Sequence, residues 1–302
     1  MNNRWWIYQR ERFPLAQHAP LVLAFSLSAL IFSSLLREDY RFPEPAAIAV
    51  AFITALLFFL QLRIADEFKD HEEDCRYRPY RPVPRGLVKL SELRWLFIGC
   101  GLIQLALALL YHPPLVLLLG ITWIYLAAMS KEFFVRKWLV NRPLIYLWSH
   151  MLIMPLIDLY ATSCDWLVAG LTHPPPGIFW FLVVSFFNGI LIEFGRKIRS
   201  PENEETGVNT YTALWGVPRA ALAWSLALTA NLTAALLAAN QSGAFLLTLL
   251  VLLPAYLTAL FLALRFSRQP EPRHAKWIEL SSGLWTLLLY LTLGPLALLL
   301  LR

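Results

Sequence analysis

Three aspartates, Asp66, Asp70 and Asp74, recur at four-residue intervals in RIADEFKDHEEDCRYRPYRPVPRGL, the most charged stretch of a 302-residue chain. A helix carried through this segment sets successive carboxylates about 6 Å apart along its axis and about 40° apart around it, so all three project from one face. Such a row stays ionised near a low-dielectric boundary only beside cations or basic partners. Its hard oxygens suit Mg²⁺, which takes one or two protein carboxylates and fills its shell with water and phosphate oxygens. The prolines that follow stop the helix and stiffen the returning chain, keeping Arg78, Arg81 and Arg85 near the acidic row. Guanidinium forks match phosphate oxygens. The plain alternative is a solvated juxtamembrane helix of alternating charges. Regular spacing, a position at the end of an apolar span and the adjoining basic loop favour a divalent cation with a phosphorylated ligand.

The elements that position these residues are read from composition. The chain is 58% hydrophobic and 15% charged, with a mean hydropathy of +0.55, which predicts an all-α, polytopic membrane protein forming one domain over residues 1–302. Lys and Arg number 26 against 20 Asp and Glu; in so apolar a chain the surplus is a topology signal, and nucleic-acid binding is not expected. Crossing about 30 Å of hydrocarbon takes about 20 helical residues. Nine runs fit, near residues 17–36, 46–63, 92–111, 114–130, 143–162, 177–195, 217–239, 243–264 and 277–301. The second and fourth are shortest, and Pro113-Pro114 leaves little room for a loop, so eight is the nearest alternative count. All basic residues except Arg37, Arg41 and Arg302 fall on one side of this layout. That asymmetry places the N-terminus and the charged loops in the cytoplasm and the C-terminus outside. The leading MNNRWWIYQRERFPLAQHAP reads as an interfacial lead-in to a retained helix, with Trp5, Trp6 and Tyr8 at headgroup level and Arg4, Arg10 and Arg12 in water. Cys75, Cys100 and Cys164 show no metal or redox spacing and are expected as free structural thiols.

DxxxDxxxD at the end of a second span, followed by RPYRPVPRG, closely resembles the UbiA superfamily of intramembrane prenyltransferases. The resemblance implies a bundle of nine transmembrane helices with a central cavity opening near the cytoplasmic side. The family's first motif is usually NxxxDxxxD, so Asp66 stands in place of the Asn while Asp70 and Asp74 match. It implies that Asp66, Asp70 and Asp74 ligate Mg²⁺ and act catalytically on an isoprenoid diphosphate held by Arg78, Arg81 and Arg85. A second polar cluster, FFNGILIEFGRKIRSPENEETGVNTYTALWG, lies where the family carries another acidic motif. Here glutamates replace the usual aspartates and basic residues intrude. Glu193 and Glu202 are the expected metal ligands, with Arg196, Lys197 and Arg199 on the diphosphate. The alternative for Glu193 is internal pairing with Arg196 and Lys197, three and four positions on. A third segment, WIYLAAMSKEFFVRKW, resembles the family's Tyr-x-x-x-Lys-Arg stretch and offers Lys131 as a diphosphate ligand or as a positive-inside anchor.

The implied reaction is prenyl transfer from a polyprenyl diphosphate to an aromatic or other lipophilic acceptor in a bacterial cytoplasmic membrane. Cations neutralise charge growing on the leaving diphosphate, the allylic C–O bond ionises, and a dry bundle protects the carbocation. An intramembrane terpene cyclase shares the same motifs and needs no acceptor. A transporter or ion-binding protein is the reading from another class, but the acids sit at span ends; Asp158, near the outer end of the fifth span, is either an exception or an interfacial residue. Asn188, Tyr211 and His150 are candidates either for acceptor binding or for contacts between helices.

Overall fold

The computed structural model describes residues 3–302, which are helical with no strand among them. Eight of the described helical segments are long and apolar enough to cross a membrane, and a shorter apolar helix, Leu115–Ser130, lies between the third and fourth of them. The expected nine apolar helices are therefore present, one of them below full spanning length. The chain is an integral membrane protein.

Two compact units divide the fold, one comprising residues up to Leu30 with Pro43–His173, the other Ile31–Phe42 with Pro174–Arg302. The first unit opens with α1 (Arg4–Arg12) and α2 (Leu15–Leu36), whose last turn and a half belongs to the second unit. It continues through α3 (Pro45–Lys69), the short α4 (His71–Tyr77), α5 (Leu90–Tyr111), α6 (Leu115–Ser130), α7 (Arg136–Val140), α8 (Pro143–Met151) and α9 (Ile153–Trp166). Helix α3 packs on α5 and α9, and α6 on α5 and α9. At 25 residues, α3 is about 37 Å long, more than the hydrocarbon needs, so its last turns carry the charged residues out of the apolar layer. Buried amides tie the span pairs: Gln104 donates to Thr54 O at 3.1 Å, Trp123 to Gln104 Oε1 at 2.9 Å and Gln61 to Phe97 O at 3.2 Å. The break between α8 and α9 has a local cause in Pro155, which lacks the N–H that would close on Met151.

Contrary to the interfacial reading of the N-terminus, α1 is only partly exposed. Trp6 is open, whereas Tyr8 is buried in a cluster with Ile64, Val83, Val88 and Leu93. Arg12 forms a buried ion pair with Glu67 instead of pointing to water. The amphipathic turn thus finds an apolar floor made by the RPVPRG loop, the end of α3 and the start of α5, a better partner for the tyrosine ring than lipid headgroups.

In the second unit, α10 (Ile178–Lys197), α11 (Tyr211–Trp215), α12 (Val217–Gln241), α13 (Phe245–Arg268), α14 (Pro272–Leu291) and α15 (Ala297–Leu301) follow in order, with a single π-helical stretch over Thr292–Leu296 around Pro295. Helix α10 packs on α12 and α14, and α13 on the same two. A Cβ added at Gly195 would come within 2.4 Å of Ser282 Oγ, so glycine is what lets α10 and α14 approach here. Asn231 donates to Val184 O at 2.9 Å and accepts from Trp285 Nε1 at 2.7 Å, joining three helices through one buried amide. All three cysteines are free; Cys100 and Cys164 are buried, whereas Cys75 is exposed.

Candidate active site

The helix carrying the first acidic motif does not run straight through it. Helix α3 ends at Lys69, Asp70 adopts φ −96° and ψ 7°, and α4 starts at His71. Backbone bonds of helical reach survive on both sides, Asp70 N to Asp66 O at 2.9 Å and Asp74 N to Asp70 O at 2.8 Å, so this is a kink and not a stop. Two forces account for it. Glu72, Glu73 and Asp74 crowd the first turn of α4, where the helix dipole favours acids. Asp74 is also drawn inward by guanidinium groups. Arg78 Nη1 donates to Asp74 Oδ1 at 2.7 Å, and Arg81 Nη1 reaches Oδ1 at 2.8 Å and Oδ2 at 2.6 Å.

The expected row of three equivalent carboxylates is consequently split. Asp74 is buried, at 1% exposure, with both oxygens engaged. Asp66 is half-open, with Arg63 at 3.6 Å and Lys69 Nζ at 3.3 Å. Asp70 lies between them, half-buried, with no ion pair among the described residues. Burial raises the Asp70 carboxyl pKa above the ordinary carboxylate value; Lys69 opposes that rise, and Asp66, Asp74 and Glu73 add to it. A carboxylate in that position favours a cation brought to it.

The loop after α4 is a chain of tight turns, with Arg81 N to Arg78 O, Arg85 N to Arg81 O and Gly86 N to Val83 O all at 3.0 Å. Gly86 has φ +78°, a conformation that glycine adopts without penalty. Arg78 and Arg81 stay at the acidic motif. Arg85 turns toward α1, donating to Tyr80 O at 2.8 Å and to Glu11 Oε1 at 2.9 Å.

Lys131 is exposed at the end of α6, while its neighbour Glu132 is buried. Glu132, Phe133 and Phe134 have φ of 50°, 51° and 62°, three consecutive non-glycine residues in the left-handed region. Each costs about 1–2 kcal/mol. This strained bend places Glu132 among groups that the sequence reading did not join to the motif. Tyr146 donates to Glu132 Oε1 at 3.0 Å, and His150 Nε2 lies 3.2 Å from Glu132 Oε2. Lys69 Nζ donates to Tyr146 Oη at 2.9 Å and lies 3.9 Å from Glu132 Oε1. Burial alone would raise the Glu132 pKa, but His150, Lys69 and Tyr146 outweigh it and hold the carboxyl below its ordinary value. The only advance signal was Glu132 following Lys131 at a position where the matching family segment carries a basic residue.

In the second unit, Glu193, Glu204 and Glu205 of the second polar segment are paired with nearby residues. Arg196 Nη2 is 2.6 Å from Glu193 Oε2 and Lys197 Nζ 2.8 Å from Oε1, the internal pairing that the three- and four-residue spacing allows. Arg199 pairs with Glu205 at 2.8 Å, and Glu204 accepts from the hydroxyls of Thr210 and Thr212, each at 2.7 Å. Glu202 is exposed. It lines a polar groove of about 530 Å³ together with Arg196, Arg199, Glu205 and Lys276. Asn188 and Tyr211 serve helix contacts, Asn188 accepting from Thr286 at 3.4 Å and Tyr211 packing on Phe194 and Trp215.

Among the described residues no three Asp, Glu, His or Cys side chains gather as a ready-made metal cage. The donor chemistry of the first motif nonetheless fits Mg²⁺, because Asp66 and Asp70 offer hard oxygens from adjacent turns, half-open and without a complete protein shell. Glu193 fits less well, since both its oxygens already hold cations.

The chain belongs to the UbiA prenyltransferase family, whose model matches residues 26–283. It is similar to the apo structure of a UbiA homolog from Aeropyrum pernix K1, with a TM-score of 0.66 at 14% identity over 90% of this chain and 95% of that one. It is also similar to a structure described for digeranylgeranylglyceryl phosphate synthase in membranes, with a TM-score of 0.62 at 12% identity over 94% and 98% of the two chains. At these identities the likeness shows a shared fold. No curated protein matches.

Proposed function

We propose that this protein transfers a prenyl group from an isoprenoid diphosphate to a lipophilic acceptor, aromatic or otherwise, in a bacterial cytoplasmic membrane. In this reading residues 1–302 act as one domain, and the N-terminus and both polar segments face the cytoplasm. Family membership supports the reaction class. The observation that carries the site is the division of labour in the first motif: Asp74 is locked by Arg78 and Arg81, while Asp66 and Asp70 remain half-open beside them.

Asp66 and Asp70 would hold Mg²⁺, which would supply Lewis-acid charge for the leaving diphosphate. Arg78 and Arg81 keep Asp74 in place and offer their remaining N–H groups to phosphate oxygens. The second segment offers Arg196, Lys197 and Arg199 as further diphosphate ligands and Glu202 as an open carboxylate, with Glu193 fixing the first two, and Lys131 is the candidate from the third segment. As the allylic C–O bond breaks, its electron pair leaves with the diphosphate, and these cations stabilise the charge that develops. The acceptor then bonds to the allylic carbon and loses a proton.

The test is incubation of membrane-reconstituted protein with geranyl, farnesyl and geranylgeranyl diphosphates, with and without Mg²⁺ and 4-hydroxybenzoate, with products identified by mass spectrometry. Mg²⁺-dependent diphosphate release that is lost in Asp70→Ala, with a prenylated acceptor, is the expected result. A cyclic hydrocarbon or alcohol formed from the diphosphate alone would replace transfer by cyclisation. Binding of none of these diphosphates would remove the reading.

A further inference from the structure

Lys69 lies one residue before Asp70, inside the first acidic motif, and its side chain is largely buried, at 17% exposure. Its ammonium has three oxygen neighbours: Tyr146 Oη at 2.9 Å, Asp66 Oδ1 at 3.3 Å and Glu132 Oε1 at 3.9 Å. The last two carry opposite consequences. The contact with Asp66 directs a positive charge at a carboxylate that faces outward. The contact with Glu132 draws the same charge toward a carboxylate 5% exposed, braced by the Tyr146 hydroxyl and by His150. Three left-handed, non-glycine residues are strained to put Glu132 there. Conformational strain of this kind persists where surrounding contacts over-determine it, and it clusters at functional sites.

A carboxylate with a resident ammonium is a poorer ligand for a second cation, because the incoming ion must displace or share that charge. We propose that Lys69 is a positioning residue acting as a built-in cation of the first acidic motif: its ammonium competes with a divalent cation for Asp66, and Glu132 with Tyr146 sets how strongly. Asp70 is then the primary carboxylate for the divalent ion, and Asp66 is shared. The inference rests on the proposed cation-dependent site and assigns a role to three residues outside it, Lys69, Glu132 and Tyr146.

Because the two carboxylates pull on one ammonium from different sides, removing the ammonium and removing Glu132 have opposite signs. Mn²⁺ binding to the detergent-solubilised protein, followed by the electron paramagnetic resonance signal of free Mn²⁺, reads this without turnover. The titration is made alone and with inorganic pyrophosphate. Lys69→Met is expected to tighten Mn²⁺ binding about tenfold, ~1.4 kcal/mol. Glu132→Gln, which leaves the ammonium bearing on Asp66, is expected to weaken it several-fold. Lys69→Arg, which keeps the charge, stays close to the parent protein. The tightening must also vanish when Lys69→Met is made in an Asp66→Asn background, since the competition is for that carboxylate. A general loss of structure would move the first two variants in the same direction, and thermal unfolding of each variant separates that case.

Parent binding that depends on Asp70 (lost in Asp70→Asn) but is unmoved or weakened by Lys69→Met overturns the role of Lys69 and leaves the proposed site standing. A tightening that persists with Asp66→Asn does the same. Absence of Mn²⁺ binding in every variant, with and without pyrophosphate, removes the cation-dependent reading itself and this inference with it. Binding in Lys69→Met alone supports the inference in its strongest form.

Discussion

The two polar segments carry the same kinds of side chain and use them differently. In the first, one acid is withdrawn into a buried clamp while two stay half-open at a helix kink. In the second, Glu193, Glu204 and Glu205 each have a partner within a few residues, and Arg196 and Arg199 line a groove with Glu202, Glu204 and Glu205. Spacing decides the difference. Acid and base three or four apart on one helical face neutralise each other, as Glu193, Arg196 and Lys197 do. Asp70 has only acids at those distances, Asp66, Glu67, Glu73 and Asp74, so its relief must come from elsewhere, while Asp66 and Asp74 find bases at that spacing in Arg63, Lys69 and Arg78. The first segment therefore leaves Asp70 open to positive charge, whereas the bases of the second are largely matched by its own acids.

Asp70→Ala breaks this comparison most severely. Turnover of an isoprenoid diphosphate is expected to fall about a thousandfold, ~4 kcal/mol of lost transition-state stabilisation, with little change in thermal unfolding. Asp66→Asn, which keeps an oxygen donor, is expected to retain activity under the same assay. Asp74→Ala acts on the other half of the motif. It strands Arg78 and Arg81, and urea unfolding in detergent should report a loss of about 3 kcal/mol. Arg196→Ala sharpens the contrast from the second segment, where diphosphate affinity measured by calorimetry should weaken about tenfold, ~1.4 kcal/mol. Equal affinity would mean that the groove does not hold the diphosphate. A smaller effect is expected within the apolar layer, where Asn231→Leu leaves the Trp285 indole N–H unpaired at a cost of about 1 kcal/mol.

The smallest effect is a pH response in the loop before α3. A hydrogen bond from Arg41 is foremost in holding Asp39 at about 2, against an ordinary value of 3.8. The folded value lies below the unfolded one, so the stabilisation is present above about pH 4 and is lost as pH falls through about 2. Asp39→Asn should match the parent protein in thermal unfolding near pH 2 and fall slightly below it at pH 7.

Much of this was readable from the chain. Apolar runs and their basic flanks located the spans, and the short fourth run is the one that forms the 16-residue α6. The aspartate spacing located the acidic motif. Its kink was not legible, because a straight helix and a kinked one differ by where Asp74 finds its arginines, which is a tertiary choice. The Lys69 environment was hidden for a stronger reason: Glu132 and Tyr146 are 63 and 77 residues away in sequence. The bend that aims Glu132 inward is left-handed at Glu132, Phe133 and Phe134, residue types that give no turn signal. The inward turn of Arg12 was missed likewise, since Glu67 reads from sequence as one more surface acid.

The attachment of α1 also has a consequence for the order of biosynthesis. Its three ion pairs reach 55, 74 and 88 residues forward, from Arg12 to Glu67, Glu11 to Arg85 and Arg4 to Glu92. Translation delivers those partners in that order, so the first helix made must wait at the membrane surface until the ribosome has passed the acidic motif and entered the third span. Helix α1 is fastened at all three points only once residue 92 has been made.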